Sequence, residues 1–258
     1  MKKLNLVTVA LLASTMVGGV VVSAATPGKG PTDLNTTAKV KFEKEETGGE
    51  NGGEVTPPGG GGEITPPGGG EGGETPETTA DLMLTFAPNF DFGTIKLDAK
   101  AKEVAAKNVI ENDKGKVTHF VQVKDIRGTH AGWSLTASAT PLKNGESTLD
   151  GGSSIEIKGF NIMGEEGVEA TAPTGTFTSI KFDGSQTPVM SAAANAGEGI
   201  WSGILGTTPT QTGETNEDVK LNLTASDAVK ASEGTYNSTI TWNLAGTPTY
   251  AAAATPQA

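Results

Sequence analysis

Gly234-Thr-Tyr-Asn-Ser-Thr-Ile-Thr-Trp-Asn-Leu244, with Pro248 shortly after it, shares one short pattern with Gly132-Trp-Ser-Leu135: the triplet Trp-x-Leu. Successive side chains of an extended strand alternate faces. Trp133 and Leu135 therefore point one way and Ser134 the other, and Trp242 and Leu244 point one way and Asn243 the other. Two of the chain's three tryptophans thus stand in matching apolar pairs, each on a predicted β-strand. Outward from these triplets the same period-two signal recurs. It is present in Leu82-Met-Leu-Thr-Phe86, Gly93-Thr-Ile-Lys-Leu97, His119 to Lys124, Ser154-Ile-Glu-Ile-Lys158, Thr176 to Phe182 and Val219 to Thr224, as a half-buried antiparallel sheet requires. Asn144-Gly145, Asp150-Gly151 and Asp183-Gly184 supply turn residues that tolerate positive φ. One stretch, Asp98 to Ile110, rich in Ala, Lys, Glu and Val, predicts a short helix. The expected fold is mainly β: an antiparallel sandwich or barrel-like single domain over residues 80–258, with at most one short helix.

The two triplets, their separation and the upstream Phe90-Asp-Phe-Gly-Thr-Ile95 together resemble the WxL domain of Gram-positive surface proteins. The resemblance covers roughly Ala80 to Tyr250. It implies an exported protein held non-covalently on the cell wall, with peptidoglycan as the usual receptor and membrane-anchored surface proteins as assembly partners. It also marks Trp133, Leu135, Trp242 and Leu244 as motif residues, with Tyr236 on the strand of the second triplet.

The N-terminus supports export on its own terms. Lys2 and Lys3 precede a largely apolar run from Leu4 to Val22, and Val22-Ser-Ala-Ala25 offers small residues for cleavage, the layout of a secretory signal peptide over residues 1–25. The chain has no cysteine, so neither a lipid-bearing Cys nor a disulfide is expected, and the fold must rest on its hydrophobic core. No sortase-type sorting signal is read near residue 258. Residues 26–42 form a short N-terminal segment in which Ala38-Lys-Val-Lys-Phe42 alternates like one strand. Residues 43–79 follow with two copies of Thr-Pro-Pro-Gly-Gly-Gly, nine Glu and one Lys. Such a composition buries too little surface to offset the entropy of ordering it, and predicts a disordered acidic linker.

Catalytic constellations are missing. His119 sits in an alternating strand and His130 in a Gly-rich loop; without Cys or an HExxH spacing they form no zinc signature. Ser202, in Gly199-Ile-Trp-Ser-Gly203, lacks the glycine that a nucleophile elbow places two residues before its serine. Glu165-Glu166, Glu217-Asp218 and Asp125 are the carboxylates available to a glycoside hydrolase, but they read as charges of an acidic chain. Asp125 and Arg127 instead read as a local ion pair that holds the turn before Trp133. No cofactor and no metal are expected, and the protein reads as a non-enzyme.

The formal net charge of −11 disfavours nucleic acid and anionic membrane surfaces as partners. Binding to a wall glycan must then use hydrogen bonds, stacking or a bridging cation. Trp133, Trp201 and Trp242 suit stacking on sugar rings, and Trp201, between Gly199 and Gly203, reads as a loop residue open to solvent. The two Trp-x-Leu pairs equally suit a sheet core. An adhesin or assembly subunit, whose ligand is a host matrix protein, a polysaccharide or a membrane-anchored surface protein, is the alternative to direct wall attachment.

Overall fold

A computed structural model describes residues 33–42, 57–58, 73–74, 81–108, 110–112, 115–145 and 147–248. The strands begin with β1 (Asp33–Phe42), β2 (Gly73–Glu74), β3 (Leu82–Pro88), β4 (Phe90–Thr94), β5 (Lys102–Lys107), β6 (Ile110–Asn112) and β7 (Gly115–Val117). Next come β8 (Phe120–Asp125), β9 (Trp133–Ala139), β10 (Leu142–Asn144), β11 (Ser147–Leu149), β12 (Ser154–Ile157), β13 (Phe160–Gly164) and β14 (Ser179–Lys181). The series closes with β15 (Thr187–Ala192), β16 (Gly199–Leu205), β17 (Thr210–Gln211), β18 (Thr215–Leu223), helix α1 (Ala225–Lys230) and β19 (Gly234–Ala245).

β19 organises the largest sheet. One of its edges pairs antiparallel with β1 along ten residues, from Asp33↔Asn243 to Phe42↔Gly234. Its other edge is shared, meeting β10 at Lys143↔Asn237 and β9 from Ile240↔Ala139 to Ala245↔Ser134. β4 adds in parallel beyond β1, and β15 pairs with β9. A second sheet runs β13-β16-β8-β3-β2, a third β14-β12-β18-β5 and a small fourth β17-β7-β6. The first three enclose one continuous core, in which Trp133, Leu135, Tyr236 and Trp242 join Val121 and Val123 of β8 and Ile155, Val219 and Leu221 of the third sheet. The mainly β, largely antiparallel architecture agrees with the sequence.

The alternating segment noted at Ala38 is the end of a full strand, Asp33–Phe42, set between β19 and β4. The folded unit therefore begins before the acidic segment. Residues 1–25, read as a signal peptide, lie outside the described residues, as does most of 43–79. Within the latter, Pro57 and Pro58 are described and buried, and Gly73–Glu74 pairs with Pro88 and Ala87 at the edge of β3.

Among the described residues of Asp98–Ile110 no helix forms; this stretch contains β5, paired antiparallel with β18. Lys, Glu and Ala favour helix only weakly, and a strand partner overrides that preference. Here β18 offers its edge and Ala106 is driven into the core. The one described helix, α1, follows β18 directly. Thr224 caps it, its hydroxyl accepting the Asp227 N–H at 3.2 Å, the usual device for an unsatisfied first-turn donor. Asp227 is itself fully buried, and its carboxylate accepts the backbone N–H of Gly151 (2.6 Å) and of Ser153 (3.1 Å), which fastens the helix to the turn before β12.

His119 lies between Phe90 of the first sheet and Asn216 of β18. It is 1% exposed, stacked on Phe90 with ring centroids 5.2 Å apart, and Asn216 Nδ2 stands 3.2 Å from its Nδ1. Its Nε2 has no hydrogen-bond partner among the described residues. Burial disfavours the imidazolium and pulls the pKa down from 6.5 to about 4. Between those values the unfolded chain binds a proton that the native state does not. The stability this group contributes is thus complete above about pH 6.5 and is lost as pH falls through about 4. The loss approaches about 3 kcal/mol. Urea unfolding at pH 7 and pH 4 should show His119→Phe losing less stability on acidification than wild type by about that amount. Equal losses in the two proteins would exclude His119 as the source.

Candidate functional site

The two Trp-x-Leu strands are neighbours. β9 and β19 pair so that Leu135 lies opposite Leu244 and Ala137 opposite Trp242. Residues directly opposite in a ladder share a face, so Trp133, Leu135, Trp242 and Leu244 all project into the same core. Each is at most 1% exposed. A four-residue apolar block, assembled from positions more than 100 residues apart, thus rivets the largest sheet to what lies beneath it.

Each indole also has its polar end satisfied inside the protein. Trp242 Nε1 donates to Thr36 Oγ1 of β1 at 2.7 Å, and its ring meets Phe177 edge-on at 5.8 Å. Trp133 Nε1 donates to the carbonyl of Gly197 at 2.9 Å. That contact demands glycine: Gly197 has φ +74°, and a Cβ there would lie 2.7 Å from the indole nitrogen and 2.3 Å from Ala192 Cβ. Gly132 is under the same constraint, with φ +74° and the Ala192 carbonyl oxygen 2.3 Å from where its Cβ would be. The Gly-Trp of the first triplet is therefore a backbone fit as well as an apolar pair.

Arg127 ties the two triplets together at one end of the sheet. Its Nε and Nη2 donate to the two oxygens of Asp125 at 2.9 and 2.8 Å. Nη2 also donates to the carbonyl of Gly132 (2.7 Å), the residue before Trp133. Nη1 reaches the carbonyl of Gly246 (2.9 Å), two residues beyond Leu244. A planar guanidinium is suited to such a fork. Asp125 is 3% exposed, and its hydrogen bonds to Arg127 raise the guanidinium pKa above its ordinary value. The ion pair expected from the sequence thus joins three chain segments, the end of β8 and the outer ends of both triplet strands.

Tyr236 sits on β19, fully buried. Its hydroxyl is 2.8 Å from Ser147 Oγ and accepts the Ser232 N–H at 3.0 Å, so it pins β11 and the turn entering β19. Trp201 is the departure. It lies in a strand rather than a loop, paired with Val123 of β8 and Gly164 of β13, and is 6% exposed. Its N–H donates to the carbonyl of Glu198 at 2.8 Å, and its ring lies over Gly164, whose added Cβ would come within 3.1 Å. It belongs to the second sheet and does not join the other two tryptophans.

Thr36, Gly197 and Gly246 belong to this arrangement and were not singled out from the sequence. Thr36 lies in the polar run Asp33-Leu-Asn-Thr-Thr37, where nothing marks the hydroxyl that will meet an indole 206 residues away. The carboxylates weighed for hydrolysis are spread out: Asp125 is held by Arg127, Asp218 accepts the Thr207 N–H at 2.8 Å, Glu217 pairs with Lys220, and Glu165 and Glu166 are exposed. Among the described residues no group of three or more His, Asp or Glu is placed to hold a metal ion.

The family model described as "WxL domain surface cell wall-binding" matches residues 29–248. No curated protein and no solved structure is similar enough to this chain to match.

Proposed function

This chain belongs to the family of WxL surface, cell-wall-binding domains, and from that premise we propose that it is a non-catalytic wall ligand whose receptor is peptidoglycan. It is a cell-surface protein, associated with the wall non-covalently through this domain. The receptor is inferred from the family's wall-binding role; the burial of both Trp-x-Leu pairs, with each indole N–H satisfied by the protein's own oxygens, supports reading the motif as core and not as the contact. A buried ring with no free face does not stack on a sugar. The motif therefore builds the binding domain, and contact with the wall falls to the polar surface that the motif supports. The pairing of β1 with β19 along ten residues supports including Asp33–Phe42 in the unit that binds.

The test is co-sedimentation of residues 26–258 with purified peptidoglycan from which teichoic acids have been stripped. The expected result is that the protein pellets with the glycan and stays in solution without it. If it remains in the supernatant in both cases, peptidoglycan is not the receptor. Retention through a membrane-anchored surface partner then takes its place, and pull-down of such a partner becomes the next measurement.

A further inference from the structure

Behind the buried second triplet, β19 and its neighbours present a surface of a different kind, whereas β9 is buried on both faces, with Ser134 and Thr136 enclosed as well. On the outer face of the β10-β19-β1-β4 stretch, register places Lys143, Asn237, Lys39 and Asp91 in one row across four strands. Thr239 stands opposite Thr37, and Thr241 opposite Asn35. Asn35, Thr37, Lys39, Lys143, Asn237 and Thr239 are all exposed. Strands lie about 4.8 Å apart and alternate residues about 6.8 Å apart along each, so these side chains form a grid of hydroxyls, amides and two ammonium groups.

We propose that this polar sheet face is the surface that takes peptidoglycan, its hydroxyl and amide groups bonding the sugars and acetamido groups while Lys39 and Lys143 meet carboxylates of the peptide stems. The inference rests on the wall-binding reading above. Charge complementarity selects the ligand. In a chain of net charge −11, the described side chains of this row include two lysines and one carboxylate. That carboxylate, Asp91, is already engaged by Lys107 Nζ at 3.1 Å and by the Gly93 N–H at 2.7 Å. Lys102, Lys107, Lys116, Lys220 and Lys230 are each paired with a neighbouring acid. Lys39 and Lys143 share with Lys158 and Lys181 the lack of an ion pair among the described residues, and what sets them apart is their place among the hydroxyls and amides of this row. Two cations set among hydroxyls and amides do not match the dense charge of a nucleic acid backbone. They do match a neutral glycan bearing intermittent carboxylates. Topology adds a reason for the second triplet's form: Trp242 and Leu244 lock β19 from beneath, and the strand's alternate residues Asn237 and Thr239 are held in register above.

The experiment compares residues 26–258 as wild type, Lys39→Glu/Lys143→Glu, Lys39→Arg/Lys143→Arg and the control Lys158→Glu/Lys181→Glu, which makes the same change of net charge on the third sheet. Each is first checked for an unchanged thermal melt, then titrated against stripped peptidoglycan. Binding is expected to weaken at least tenfold in the first variant alone. A parallel acetylation footprint on wild type should show Lys39 and Lys143 protected by peptidoglycan while Lys158 and Lys181 stay reactive. If wild type binds but Lys39→Glu/Lys143→Glu binds equally well, or the two lysines remain reactive in the bound state, the face is not the contact and wall binding itself still stands. If wild type does not bind, both proposals fall.

Discussion

A chain lacking Asp33–Phe42 is expected to show no cooperative unfolding transition above 25 °C, although the strand makes up only ten residues of the 258. β1 lies between two strands, so its loss opens the ladder on β19 and on β4 at once. Ala38 and Val40, both 0% exposed, leave a groove over the core. Trp242 Nε1 loses its only described acceptor, Thr36 Oγ1, and an orphaned buried donor costs about 1–3 kcal/mol by itself. Emptying the Val40 site adds about 1.5–3 kcal/mol, before the unpaired edges of β19 and β4 are counted. Against a domain stability of about 5–15 kcal/mol, these two losses remove a large part, and the opened ladders on β19 and β4 are expected to remove the rest. The measurement is a circular-dichroism melt of residues 80–258 beside residues 26–258. In full-length protein, Val40→Asp, which places an unpaired charge in the same groove, should lower the melting temperature sharply. A normal cooperative melt of residues 80–258 would show that β1 is an accessory strand.

That dependence marks where the sequence was legible and where it was not. Strands with one wet face announce themselves by alternation, as β12, β18 and β19 do; β9 is buried on both faces but was still legible because Trp133, Leu135, Ala137 and Ala139 alternate with hydroxyl residues. β16 does not alternate. Its pattern Gly-Ile-Trp-Ser-Gly-Ile-Leu205 is buried across both faces from Trp201 onward, and a strand covered on both sides loses the period-two signal. Trp201 was accordingly read as a loop residue. β5 failed for the opposite reason, because its Ala, Lys and Glu carry a weak helical preference that pairing with β18 overrides. The register between β9 and β19, which brings the two triplets together, is set by long-range packing that no local window contains. The Asp125–Arg127 pair was legible because two opposite charges two residues apart meet readily; that the same guanidinium also reaches Gly246, 119 residues on, was not.

Replacing Trp242 or Trp133 by alanine should cost about 3–5 kcal/mol, as for other fully buried aromatic residues, and should reduce wall binding in proportion to the fraction of the domain it unfolds. Loss of binding alone therefore does not distinguish a core residue from a contact residue, and the decisive comparison uses graded variants. Trp242→Phe keeps an aromatic ring against Phe177 but removes the donor to Thr36 Oγ1, which still has the Ile240 carbonyl at 3.4 Å. Its cost should be smaller, about 1–3 kcal/mol, leaving a folded protein at low temperature. Because each indole is enclosed, folded Trp242→Phe should bind stripped peptidoglycan with wild-type affinity. An osmolyte such as trimethylamine N-oxide, which favours the compact state, should restore binding to Trp133→Ala in step with its recovery of structure. The measurement pairs circular dichroism with co-sedimentation on the same samples. Should a fully folded Trp242→Phe fail to pellet, the indole touches the wall, and the second triplet must open on binding to expose it.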